Sequence, residues 1–316
     1  AQVYEVQNLS LRSVGPTPTP ASPRHLWPSR EMMATLKSQV KHFGGVLSRY
    51  THVSEACKCS MTFAVYMPAV AESKPVPTVY YLSGLTCTDE NFSQKAGFGR
   101  AASARGVCLI MPDTSPRDVV IEGADDSYDF GSGAGFYVDA TEPKWAANYK
   151  MYSYVTQELP ALVQSMFPGK LAPKTSIFGH SMGGHGALTL YLKNPGMYTS
   201  CSAFSPICNP TKCPWGEKAF NGYLGSVDAG KANDATELML SLESPPKAPI
   251  LIDQGTADNF YCGDVNQLNP AAFASACEAK GVPLKLRMQE GYDHSYFFIS
   301  SFVDDHINFH ADALGC

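Results

Sequence analysis

No stretch of this 316-residue chain approaches the ~20 consecutive apolar residues that a membrane-crossing helix requires, and nothing in it resembles a secretory signal. A soluble globular protein without a membrane partner is therefore expected. Neither sign of charge dominates: 24 Lys and Arg stand against 29 Asp and Glu, a formal −5. No basic stripe interleaved with aromatics occurs, which argues against a nucleic-acid partner. Ten cysteines are few for this length, too few for a disulfide framework, and read as reduced thiols in a cytosol-like, cytoplasmic compartment. Acidic residues nearly vanish from residues 1–54, where Glu5 and Glu31 face six Lys or Arg, and Pro16, Pro18, Pro20, Pro23 and Pro28 crowd together. That composition suits an extended tail or an organellar transit peptide. Residues 1–54 are thus read as an atypical extension, expected to lie on the body or on a neighbouring subunit, and 55–316 as one catalytic domain. With 44% apolar residues the chain can bury a sizeable core.

What is present centres on residues 175–188, TSIFGHSMGGHGAL. A short strand runs into Gly179-His180-Ser181-Met182-Gly183, and a small-residue helix follows at once. This is the G-x-S-x-G corner, in which a strained serine holds its hydroxyl clear of a sheet. Gly179 and Gly183 are needed because a Cβ at either place would strike the neighbouring strand or helix.

Further strands are predicted over 59–67, 76–82, 107–111, 200–204, 250–253 and 284–288. Helices are predicted over 91–105 and 151–167, from Pro270 behind an Asn269 cap to a stop at Gly281, and over 295–310. The first of these strands reads as antiparallel and near a sheet edge. Strands alternating with helices, several of them apolar throughout, imply a mostly parallel central sheet flanked by helices on both faces. In such folds functional loops follow the carboxyl ends of strands. The irregular stretch 114–140, rich in Gly and Asp, is long enough to be functional.

A serine needs a base, and the base an orienting acid. Of eight histidines, His294 lies just beyond the strand at 284–288. His180 and His185 flank the corner and read as structural or pocket-lining, and His306 and His310 as a half-exposed helix face. For the acid, Asp258 stands in the loop after the strand at 250–253, with Asp253 and Asp264 as lesser candidates. The order Ser181, Asp258, His294 is that of α/β-hydrolases. The oxyanion donors of that fold are two backbone amides. They fall on Met182 and on Leu85, in the loop after the strand at 76–82, where Gly84 would free the backbone to turn. Cys87 and Trp215 are candidate pocket residues. The C-x-C of Cys57 and Cys59 and the C-x4-C of Cys208 and Cys213 fit zinc modules poorly, so no metal is assigned.

Longer segments then agree together: SGLTCT at 83–88, PDTSPR at 112–117, GSGAGFYVDAT at 131–141, MYSYVTQELP at 151–160, GHSMGGHGAL at 179–188, SPICNPTKCPWGEKAF at 205–220, IDQGTADNF at 252–260 and QEGYDHSYFF at 289–298. From about Cys57 onward the chain resembles the S-formylglutathione hydrolase (esterase D) family of the α/β-hydrolase superfamily. The resemblance implies an α/β-hydrolase fold and hydrolysis of the thioester S-formylglutathione to formate and glutathione in formaldehyde detoxification. It also implies no cofactor, a homodimer, the triad Ser181, Asp258 and His294, and oxyanion amides at Leu85 and Met182. Tyr81 stands where a Trp is expected, and Asp118 where a Gly is. Trp215 and the 114–140 loop are expected on the thiol side of the pocket. A broad carboxylesterase or acyltransferase of the same fold is the alternative.

Overall fold

The computed structural model describes residues 33–316; the proline-rich segment and its expected docking lie outside them. Nine strands form one sheet: β1 (Ala34–His42), β2 (Gly45–Ser54), β3 (Cys59–Met67), β4 (Val76–Leu82), β5 (Cys108–Pro112), β6 (Leu171–His180), β7 (Cys201–Phe204), β8 (Ile250–Gly255) and β9 (Leu284–Gln289). Their order across the sheet is β1-β2-β3-β5-β4-β6-β7-β8-β9. The pairs β1–β2, β2–β3 and β3–β5 are antiparallel, and every pair from β5–β4 to β8–β9 is parallel. Strands β5, β7 and β8 are buried along their whole length, which is why they show no alternation of apolar and polar residues.

Residues 34–54, grouped by composition with the extension, are the first two strands of the sheet. β1 is an edge strand whose side chains are almost all exposed, so the ATLKSQVKH segment carries no apolar face for a pattern to reveal. Its turn was the usable signal: Phe43 and Gly44 both have positive φ (43° and 77°), as a two-residue hairpin of the I′ kind demands. β3 is antiparallel as expected but lies two strands in from the edge. The helix predicted over 91–105 is two helices, Asp89–Lys95 and Gly99–Arg105, separated at Gly97 with φ 74°. Asn269 precedes the helix Pro270–Ala279 with φ 48° but its side chain does not cap it.

The chain steps from β4 outward to β5 and then returns to place β6 on the other side of β4. Beside such a reversal the loops leaving two neighbouring parallel strands diverge and open a crevice at their carboxyl ends. Here those strands are β4 and β6, in register from Thr78 opposite Thr175 to Leu82 opposite Gly179, and the loops that leave them begin at Ser83 and Ser181.

Beneath the sheet the C-terminal helix, Tyr296–Leu314, packs against aromatic residues of the strands. Tyr81, in the expected Trp position, is fully buried and stacks on Phe92 at 3.5 Å between ring centres. His306 and His310 face inward and are fully buried, which corrects the half-exposed reading. Spacing by four places two residues on one helix face without saying which way it looks. They are held by a buried polar chain. Ser176 meets Ser200 at 2.8 Å, Ser200 meets His310 Nδ1 at 2.8 Å, and His310 Nε2 meets Ser202 at 2.8 Å. Ser202 meets His306 Nδ1 at 2.7 Å, and His306 Nε2 donates to Asp253 at 3.2 Å. Because the Asp253 carboxylate can only accept, the hydrogens run one way from Ser176 to Asp253, with both rings neutral. Burial pushes both histidines below their ordinary pKa, which keeps that direction. Asp253 also takes a two-pronged ion pair from Arg287.

Candidate active site

Ser181 stands between β6 and the helix Met182–Lys193 with φ 58° and ψ −119°. A non-glycine residue there stores of order 1–3 kcal/mol of strain. Three hydrogen bonds hold it: its N–H donates to the Phe204 carbonyl (2.9 Å), and its carbonyl accepts from the His185 (2.9 Å) and Ile207 (3.3 Å) amides. The two glycines supply the room. A Cβ on Gly179 would overlap the Gly183 carbonyl, and one on Gly183 the Leu82 carbonyl.

His294 follows β9, and its Nδ1–H donates to Asp258 Oδ2 at 2.5 Å. Asp258, fully buried, also accepts from the Phe260 amide (2.9 Å) and from Gln254 Nε2 (3.3 Å). Burial works to raise its pKa, but the His294 hydrogen bond and charge with the Phe260 amide outweigh it and hold the carboxyl below the ordinary aspartate value. The bond to Asp258 fixes Nδ1 as the protonated nitrogen and leaves Nε2 as the basic one. Of the lesser acid candidates, Asp253 belongs to the Arg287 pair and Asp264 is exposed. His180 packs its ring 4.4 Å from that of His294, and burial first, then His294, drives its pKa well down.

Ser181, His294 and His180 share a cavity of about 210 Å³ with Gly84, Leu85, Thr86, Cys87, Tyr128, Trp215 and Phe260. Both expected pocket residues, Cys87 and Trp215, line it. Met182 is the first residue of its helix, so its amide has no partner within the helix, and the positive end of the helix dipole lies there. Leu85 enters from the β4 loop. Gly84 acts differently from the expectation: its φ is not positive, and what it gives is space, since a Cβ would stand 3.1 Å from Ser181 Cβ and 3.2 Å from His180 Nδ1. Burial raises the Cys87 thiol above its ordinary pKa, so the residue presents a neutral SH. Cys57, Cys59, Cys208 and Cys213 are buried free thiols, with Cys57 and Cys213 pushed up to about 12 by burial.

Two aromatic residues of the cavity are not singled out by the sequence, although Tyr128 belongs to the 114–140 loop expected there beside Trp215. Phe260 stands edge-on to His294 at 4.9 Å and packs 4.6 Å from Trp215. Tyr128 accepts from Trp215 Nε1 at 3.2 Å. Phe260 lies two residues beyond Asp258, so loop position alone could have found it; Tyr128 sits in the 114–140 loop, where no periodicity orders the residues.

The Esterase family model matches residues 54–309. The S-formylglutathione hydrolase of Rattus norvegicus is 56% identical over 278 residues, covering 88% of this chain and 97% of the relative. The chain belongs to the S-formylglutathione hydrolase family. The Arabidopsis thaliana member is 52% identical, covering 87% of this chain and 95% of its own. The solved S-formylglutathione hydrolase of Agrobacterium tumefaciens superposes with a TM-score of 0.84 at 46% identity, covering 88% of this chain and 99% of that one. These matches agree with the family resemblance read from the motif segments, and with an α/β-hydrolase fold. Among the described residues no helix is long and apolar enough to cross a membrane, and no group of three or more metal-ligating side chains comes together.

Proposed function

We propose that the protein hydrolyses S-formylglutathione to formate and glutathione through a formyl-enzyme on Ser181. The observation that carries this reading is the 2.5 Å bond from His294 to buried Asp258, at the wall of the cavity that Ser181 also lines. Ser181 Oγ attacks the formyl carbon while its proton passes to His294 Nε2, and the carbonyl oxygen becomes an oxyanion on the Leu85 and Met182 amides. The C–S bond then breaks, and the glutathione thiolate takes the proton from the imidazolium and leaves as thiol, returning His294 to its neutral form. Water, deprotonated by the same nitrogen, attacks the ester carbon. The second tetrahedral species expels Ser181 Oγ, which regains the proton, and formate is released. Asp258 keeps His294 in the working tautomer and stabilises its cation.

The cavity favours a small acyl group. Tyr128, Trp215 and Phe260 form an aromatic side that receives the thiol portion, and Cys87 lines the cavity two residues beyond Leu85. We also read the enzyme as a cytoplasmic homodimer acting in formaldehyde detoxification; the family membership and the ten free thiols support this. The test compares kcat/KM for S-formylglutathione with acetyl and butyryl esters, with Ser181→Ala as the blank. Preference for the formyl thioester and silence of Ser181→Ala are expected. Better turnover of butyryl esters would refute the substrate, and turnover by Ser181→Ala the mechanism.

A further inference from the structure

The loop that carries Leu85 is fixed from outside the cavity. At its far end the Cys87 carbonyl accepts from the Thr114 hydroxyl at 2.6 Å and from Arg117 Nη2 at 2.9 Å. Arg117 turns its Nε toward Asp113, 3.0 Å from each carboxylate oxygen. Asp113 is buried at the end of β5 and is itself held, its N–H donating to the Thr62 carbonyl at 3.0 Å and its Oδ1 accepting from the Thr114 amide at 2.7 Å. At the near end the Tyr137 hydroxyl donates to the Ser83 carbonyl at 2.8 Å. Midway, the Thr86 N–H donates to the Gly133 carbonyl at 2.9 Å.

These restraints act on a backbone that would not stay in place alone. Thr86 has φ 68°, a conformation that β-branched residues avoid and that persists only where the surroundings over-determine it. Gly133 packs so closely that a Cβ there would stand 3.0 Å from Thr86 Cα and 3.3 Å from Arg117 Nη2. Loop, turn and guanidinium therefore form one layer, and the Leu85 amide lies between its pinned carbonyls. A planar guanidinium can bond a carboxylate along one edge and reach a carbonyl with another nitrogen, whereas a lysine ammonium offers a single point.

We propose that Arg117, braced by Asp113, is a positioning residue that sets the Leu85 amide for the oxyanion. The proposal rests on the reading of Leu85 as an oxyanion donor. Since an error near 1 Å in such a group costs about 100-fold in rate, Arg117→Met should lower kcat roughly tenfold to 100-fold with KM within about twofold. The Asp113→Asn/Arg117→Met double variant, which leaves no unpaired buried carboxylate, should behave alike, and Arg117→Lys should fall between.

The decisive readout is inhibition by phenylboronic acid, whose tetrahedral adduct on Ser181 puts an oxygen on the same amides. Its Ki should rise by the factor that kcat falls, while the Ki of glutathione stays put. If kcat and the boronate Ki remain within twofold of the parent in both the single and double variants, the proposal is overturned. It is likewise overturned if lost activity matches lost Ser181 sites titrated with a fluorophosphonate, since that is misfolding. Turnover by Ser181→Ala would instead overturn the underlying reading and is scored separately.

Discussion

Asp253 and Asp258 sit five residues apart at the end of one strand, both fully buried, and the structure predicts opposite consequences for replacing them with Asn. Asp253 balances Arg287, accepts from His306 at 3.2 Å and from Gln289 Nε2 at 3.2 Å. Asn keeps the shape but leaves the guanidinium without its counter-charge and ends the buried serine–histidine chain on a neutral group. Breaking one partner of a buried pair costs about 3–5 kcal/mol; Arg287 is 23% exposed, so water compensates part of it and about 3 kcal/mol is the better figure. At about 2–4 °C per kcal/mol for a domain of this size, Tm should fall by roughly 6–12 °C, with kcat per folded molecule changed less than about threefold, because no link of that network touches the cavity.

Asp258→Asn should do the reverse. Its amide can still accept from Phe260, so Tm should move by no more than about 3 °C. His294, however, loses the acceptor that fixes its tautomer, and a loss of that kind costs about 10⁴ in kcat. Calorimetry and steady-state kinetics on the two purified variants check both halves. A large fall in kcat for Asp253→Asn at unchanged Tm would refute the division of labour, as would near-normal turnover by Asp258→Asn.

Acid should destabilise the fold before it protonates the carboxylates. His185, buried and hydrogen-bonded to the Phe136 carbonyl at 3.0 Å, has its pKa pushed down to about 4 from 6.5. The unfolded state therefore binds the extra proton first, so its contribution is whole above pH 6.5 and is lost as pH falls toward 4. It amounts to roughly 3 kcal/mol, and His306 and His310 add in the same direction. Urea midpoints between pH 7.5 and 4.5 should fall steadily, and a flat profile would show that these rings take up protons as readily in the folded state as in the unfolded one. On the thiol side, Trp215→Ala removes the partner of Tyr128 and Phe260 and should raise KM for S-formylglutathione about tenfold, worth ~1.4 kcal/mol, with a smaller effect on kcat. An unchanged KM would remove Trp215 from the binding surface.

Much of this architecture was legible because physical constraints write themselves locally. Parallel strands buried on both faces are mostly apolar and do not alternate, so Val76–Leu82 of β4 is legible to the residue. Each candidate for chemistry could be tested by whether it followed a strand, and Ser181, Asp258 and His294 did. What escaped reading depended on distant partners. β1 has no apolar stripe, since the edge of a sheet asks for none, so by composition residues 34–54 look like tail. His306 and His310 can be placed inside only by knowing that Ser202 of β7 and Ser200 just before it meet them. The sequence suggests a torsional role for Gly84 because torsion is a property of the chain, whereas its task in the fold, clearance for Ser181, depends on two strands brought side by side.

Among the described residues, carboxylate, imidazole and hydroxyl come together around Asp253, His306 and Ser202, where hydrogen bonds link all three, and at the cavity around Asp258, His294 and Ser181, where the bond runs from His294 to Asp258. Asp253, His306 and Ser202 are linked end to end, yet Ser202 is fully buried in β7, and its proton is committed to a neighbour that never meets a substrate. Residue type and spacing alone would pick out that set as readily as the one at the cavity, whereas on the proposed mechanism a covalent serine probe is expected to label Ser181. Composition and proximity thus define a proton wire; an open mouth and a kinked backbone turn one into a reagent.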